Sequence, residues 1–241
     1  MFRKLLFLLG FLLPWAMRRR WFETALGYRI HATARIGLAW VLPDRLIMEE
    51  QSRIGHLTVC KGMSLVHLER FASIGRANWI YGFNRGEGKH YSHQRDRISK
   101  LVLREHSAIT NRHLIDCTNA VTIGKFTIIA GYRSQILTHS IDLGSCRQSS
   151  EPITVRDYCF TGTGVVILGG SVLPNYPVLG AMSLLKKAFA QGYTLYSGVP
   201  ARAIKTLHNS LEYFHRQIGF VRSTYRHSTP NFLRTDRVVT T

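Results

Sequence analysis

Among eleven histidines, His139 stands apart by its setting. It lies in Gln135-Ile-Leu-Thr-His-Ser-Ile-Asp142, after regularly spaced aliphatic residues and directly before the polar stretch Leu143 to Pro152. In the six-residue frame set by Ile129, it falls in a column otherwise held by small residues, where packing gives no reason for an imidazole. A rule broken once inside a regular pattern marks a place where function overrides packing. A hydroxyl is a weak nucleophile, and an imidazole that titrates near the working pH can take its proton as a new bond forms. Asp142, three residues on, is a candidate to orient the ring by accepting its second N–H. Seven other histidines, from His31 to His227, read as surface or edge residues.

The elements that must position His139 follow a period of six. Val155, Thr161, Ile167, Leu173, Leu179 and Leu185 form one column, and Cys159, Val165, Ser171, Pro177 and Ser183 form a compact one. Earlier runs repeat the pattern: Met48, Ile54, Cys60; Leu68, Ile74, Ile80; Leu103, Ile109, Ile115, Val121; Ile123, Ile129. The frame slips by two at Val66/Leu68 and at Val121/Ile123, which reads as an extra pair at some corners. Six is not a multiple of the helical 3.6, and alternation with turns every 8–12 residues is missing, so neither helices nor a sandwich is predicted for residues 30–205. A short strand plus a tight corner repeated in this way predicts a β-solenoid: an all-β chain whose stacked coils form three parallel sheets around a filled core.

Ile36-Gly37, Ile54-Gly55, Ile74-Gly75, Ile123-Gly124 and Leu179-Gly180 carry the [LIV]-G-x4 repeat, and Tyr193 to Lys205 closes with Gly-Val-Pro-Ala-Arg. These motifs resemble the hexapeptide-repeat, left-handed parallel β-helix acyltransferases, over about residues 30–205. The resemblance implies an O-acyltransferase that moves an acetyl group from acetyl-CoA to a sugar hydroxyl in surface-glycan synthesis, with His139 as general base. It implies that Asn111 contacts the acceptor or the developing oxyanion, a role His113 could equally fill. It also implies a homotrimer whose donor groove runs between subunits past Gly162, Thr163, Gly180 and Ala181, with Lys186, Lys187, Arg202 and Lys205 meeting the donor phosphates. Ser183-Leu-Leu-Lys-Lys departs from the family's usual β-branched pair and Thr-Lys-Asp. No metal is expected: the zinc-binding members place a second ligand five residues after the first, and here Gly144 stands there.

Lys plus Arg number 32 against 14 acids, a formal charge of +18, which calls for an anionic partner. The excess sits in the termini and in the insertion Asn84 to Lys100 rather than on one aromatic-laced face, which argues against nucleic acid. Residues 1–29 form an apolar and basic segment whose apolar run is too short to span a bilayer. Arg18 to Arg20 oppose its export, so residues 1–22 are predicted to lie at the inner face of the cytoplasmic membrane, with Trp15, Trp21 and Phe22 at headgroup depth; a signal peptide, or a segment packed on the solenoid, is the competing expectation. A lipid-linked glycan acceptor would suit that position. Leu143 to Pro152 is a second insertion, and residues 206–241 are predicted as a capping helix over 208–219 plus a basic tail. Four cysteines without a CxxC pair suggest a reducing compartment. The competing expectation is a non-catalytic basic solenoid that docks on anionic membrane or nucleic acid.

Overall fold

In the computed structural model, which describes residues 2–11, 13–84 and 91–219, two helices precede a three-sided stack of coils. Face A has seven strands from Arg29–Ile30 to Val172–Leu173, and face C has seven from Trp40–Leu42 to Leu184–Leu185. Face B has nine, from Arg35–Ile36 to Ala201–Thr206. Successive coils pair in parallel, as in Leu101↔Val121 and Ile115↔Ile136, and within the three faces only the closing strand Ala201–Thr206 of face B runs antiparallel to its neighbour Thr194–Gly198. This is mostly strand in parallel sheets, consistent with the left-handed β-helix that the repeat predicts.

The two-residue slips have a different cause from the one expected. On face A the strand is longer, and both Val66 and Leu68, or Val121 and Ile123, point inward and are fully buried. The extra pair widens one face instead of enlarging a corner. The compact columns are polar as often as apolar, and Ser52, Thr58, Ser107, Thr127, Ser171 and Ser183 are buried at corners. Their hydroxyls satisfy corner carbonyls, as Ser107 does with Arg104 O at 2.6 Å.

The corner between faces A and B carries a ladder of rings. Phe71, His106, Phe126, Tyr158, Tyr176 and Tyr193 stack in sequence with centroids 4.6–5.3 Å apart. All six residues have positive φ, so stacking offsets a backbone conformation that bulky residues otherwise avoid.

Helices α1 (Phe2–Phe11) and α2 (Trp15–Leu26) close the first coil. Phe7 and Phe22 stack at 5.1 Å, and Phe7 meets Trp40 at 4.9 Å. Phe22 is buried, and Trp15 and Trp21 pack against the core, so these three do not form the outward anchor expected for headgroup depth. Among the described residues no helix is long and apolar enough to cross a membrane. At the other end, the helix expected over 208–219 reduces to one 3-10 turn, Glu212–His215, whose Phe214 packs edge-on to Tyr176 and Tyr193. The basic tail with Arg222, Arg226, Arg234 and Arg237 lies outside the described residues, as do residues 85–90 of the first insertion.

Candidate active site

Both insertions leave the stack at the same edge, between faces C and A. The first follows Trp79–Tyr81, and the second follows Gln135–Leu137. The second is an antiparallel hairpin, His139–Asp142 against Arg147–Ser150, and it begins at His139 rather than at Leu143. Gln94 of the first insertion ties the two together: its amide donates to Ser150 O at 3.0 Å and accepts from the Ser150 hydroxyl at 2.7 Å.

His139 does not occupy the small-residue column. The corner before it holds one extra residue: Ile109 to Ile115 spans six positions, whereas Ile129 to Ile136 spans seven. Gly131 (φ +71°) sits in that longer corner, where an added Cβ would come within 2.5 Å of the Thr163 Cβ. The shift puts Thr138 in the buried column and turns His139 outward, its side chain 41% exposed.

Asp116, one coil earlier and fully buried, holds the ring. His139 Nδ1 lies 2.8 Å from Asp116 Oδ2, and the His139 backbone N–H donates to the same oxygen at 3.0 Å. Thr138 adds its N–H (2.9 Å) and hydroxyl (2.7 Å), and Thr118 gives its N–H (3.0 Å) and hydroxyl (2.6 Å) to Oδ1. Burial pushes the Asp116 carboxyl up, but the hydrogen bonds from Thr118, His139 and Thr138 outweigh it, so its pKa is lowered. An ionised carboxylate only accepts, so Nδ1 carries a proton, and in the neutral ring the lone pair is on Nε2. Among the described residues Nε2 has no partner. His139 lines a cleft of about 250 Å³ with Tyr81, Gly82, Phe83, Tyr91, Thr118 and Gln148. Arg97 braces the cleft from beneath, donating to Phe83 O and to Thr118 O and lying 4.5 Å from the centroid of the Tyr91 ring.

Asp142 does not orient His139. It stands in the exposed hairpin, accepting from Gly144 N at 2.9 Å and from the Ser145 hydroxyl at 2.6 Å, and hydrogen bonds from Ser145 and Gly144 lower its pKa. Asn111 is not in the cleft either. It sits at the edge between faces B and C, accepts from Arg76 N at 2.7 Å, and lines a groove of about 940 Å³ beside Trp15 and Arg18. His113 is buried against Thr110, accepts from Ser134 N at 3.1 Å, and is pushed down to about 4 by burial. It is neutral at physiological pH and structural.

Gly162, Thr163, Gly180 and Ala181 also lie along the edge between faces B and C. The stacking of coils accounts for both glycines: a Cβ on Gly162 would stand 2.6 Å from Ala181 N, and one on Gly180 would stand 2.7 Å from Ser197 Oγ. Lys186 and Lys187 follow Leu184–Leu185, on the same edge as His139 and two coils beyond it. Arg202 and Lys205 are exposed on the closing strand Ala201–Thr206 of face B. Within one chain, the glycine pairs and His139 are therefore on two different edges that flank face C. Among the described residues, no three His, Cys, Asp or Glu side chains gather to hold a metal ion.

The polysialic acid O-acetyltransferase OatWY superposes with a TM-score of 0.57 at 16% identity, over 84% of this chain and 90% of that one. The chain has the fold of that O-acetyltransferase. A hexapeptide-repeat acetyltransferase from Vibrio cholerae O1 biovar eltor, complexed with acetyl-coenzyme A, has a TM-score of 0.44 at 19% identity over 86% of this chain and 85% of its own. The polySia-specific acetyltransferase NeuO has a TM-score of 0.43 at 17% identity, over 80% and 84% of the two chains. No protein-family model matches the sequence. No curated protein matches it.

Proposed function

We propose that the chain is an acetyl-CoA-dependent O-acetyltransferase acting on a sugar hydroxyl of a surface glycan. The observation that carries this reading is the His139–Asp116 pair, a cleft-facing imidazole held at Nδ1 by a buried carboxylate. The acetyltransferase fold of OatWY, which acts on polysialic acid, supports it. In the reaction, His139 Nε2 takes the acceptor hydroxyl proton as the oxygen attacks the thioester carbonyl. The tetrahedral intermediate collapses with cleavage of the C–S bond, and the imidazolium returns its proton to the departing coenzyme A thiolate. Asp116 stabilises the imidazolium meanwhile.

The donor site is formed between two copies. The edge bearing Gly162, Thr163, Gly180 and Ala181 faces the His139 edge of a neighbour, as in a homotrimer, with Lys186, Arg202 and Lys205 supplying cations to the phosphates. The hairpin tip offers exposed Ile141 and Leu143 to such a neighbour. Calorimetric titration of the full chain with acetyl-CoA is expected to show one saturable site per subunit, weakened tenfold or more by Arg202→Ala or Lys205→Ala. A folded protein that binds no acetyl-CoA at millimolar concentration would sink the acyltransferase reading and favour a docking protein.

The protein works at the inner face of the cytoplasmic membrane, on a lipid-linked acceptor. Phe2, Leu5, Leu8 and Leu9 form an exposed apolar stripe on α1, beside exposed Lys4 and Arg20, which suits anionic lipid. Cosedimentation with phosphatidylglycerol vesicles, but not phosphatidylcholine vesicles, is expected, with loss in Leu5→Glu/Leu9→Glu. Equal sedimentation of parent and double variant would refute the membrane role.

A further inference from the structure

The outer surface of face C carries a second depression that joins the cleft at His139. Its floor is set by strand register: Trp40, Val59 and Trp79 lie in one row across the first three coils, and Leu42, Lys61 and Tyr81 lie in the next. Arg3 and Lys4 of α1 close its far end, giving a groove of about 570 Å³. Tyr81 and Gly82 line both this groove and the His139 cleft, so the two form one trough. Gly82 is required at the junction, because a Cβ there would meet Ser99 Oγ at 2.3 Å and Cys117 O at 2.8 Å.

The lining has a specific chemical character. Trp79 is 47% exposed, an uncommon state for so large an apolar ring, and the Lys61 ammonium lies 5.4 Å from its centroid. Trp40 is held in place from behind by Phe7. Arg3 is fixed by bonds to Pro43 O and Asp44 O, both at 3.0 Å, and so presents its charge at a set position. The groove's acid, Asp44, accepts from the Asn84 amide. Flat aromatic faces stack on the apolar faces of pyranose rings, and three cations select for carboxylates or sulfates on those rings. From the first coil to the fifth is four interstrand steps, or about 19 Å, more than one sugar spans.

We propose that this trough is a subsite for the non-reacting part of an anionic oligosaccharide several units long, stacked on Trp79 and paired with Lys61, Arg3 and Lys4. This inference rests on the acetyltransferase reading of the His139 cleft and adds the acceptor class to it. A monosaccharide acceptor would leave the groove unused.

The test is titration calorimetry on the full chain, with sized oligomers of sialic acid, galacturonic acid and heparin as anionic probes. Malto-oligosaccharides of matched length are the neutral comparison, and oligothymidylate is the non-sugar polyanion. At least one anionic oligosaccharide is expected to bind tenfold or more tightly than its neutral counterpart, with affinity rising as the chain lengthens from one unit to about four. Trp79→Ala and Lys61→Gln should each weaken it tenfold or more and raise the acceptor KM, leaving acetyl-CoA affinity unchanged. The inference is overturned if no anionic oligosaccharide binds to protein that does bind acetyl-CoA. Affinity indifferent to both substitutions, or oligothymidylate bound as tightly as the sugars, would overturn it too. Failure of the acyltransferase reading has a different signature, namely no acetyl-CoA bound whether or not the oligosaccharide binds.

Discussion

Replacing His139 by alanine is expected to lower kcat for acetyl transfer by roughly 10²–10⁴-fold, the usual contribution of a positioned general base. The side chain is 41% exposed and packs no core, so the fold should survive. Asp116 loses one of its hydrogen-bond donors, at a cost of about 1–3 kcal/mol. Acetyl-CoA affinity should be unchanged, because Nε2 acts on the acceptor rather than holding the donor. The measurement is steady-state kinetics alongside thermal unfolding and donor titration. A variant that keeps kcat within threefold of the parent would remove His139 from the chemistry and leave the His139–Asp116 pair a structural clasp.

Asp116→Asn is expected to show the second largest effect, in activity and in stability together. Six hydrogen bonds converge on this buried carboxylate, and an amide offers only one accepting oxygen. Whichever way it is placed, its NH2 faces a backbone N–H, so the fold should lose about 2–4 kcal/mol. The uncharged amide no longer stabilises the imidazolium, and kcat should fall by roughly 10²-fold or more. Its pH signature follows from the lowered pKa of Asp116. In the folded state the carboxyl releases its proton more readily than in the unfolded chain, where the value is about 3.9. The stabilisation is therefore complete above that value and is lost as pH falls through the lower folded value. His113, pushed down to about 4 from its usual 6.5, loses its contribution earlier, as pH falls from about 6.5 towards 4. Unfolding midpoints followed from pH 7 to pH 3 should thus show two stages in the parent, the lower of them reduced in Asp116→Asn, where Glu105 and Asp142 still contribute. An unaltered lower stage would contradict the assignment. His139→Ala tests the base itself, and Asp116→Asn tests what holds it.

The sequence by itself determined the solenoid. A period of six with large aliphatic and compact columns has one physical solution, since only a short strand plus a tight corner returns every sixth side chain to the core. It also marked His139, because an imidazole just before a polar insertion has no packing reason to be there. It could not show what touches His139. Asp116 is 23 residues away and becomes its neighbour only because one coil here is 21 residues long, which sets Asp116 beside Leu137, two residues before His139. Asp142, close in sequence, is carried off by the hairpin. Asn111 and His113 were separated from His139 by a whole face, since three residues along a coil can mean a different side of the triangle.

The register of the corner before His139 was likewise decided in three dimensions, where Gly131 absorbs one extra residue and turns the ring outward. The ladder from Phe71 to Tyr193 has no fixed spacing in the chain, because its steps equal coil lengths that vary with the insertions. The same holds for Trp40, Lys61 and Trp79, three unremarked residues that strand register gathers into one groove. Sequence periodicity reports which side chains face the core, since burial recurs with every coil. Which outward residues meet depends on summed coil lengths and on insertions, and only the folded stack fixes those.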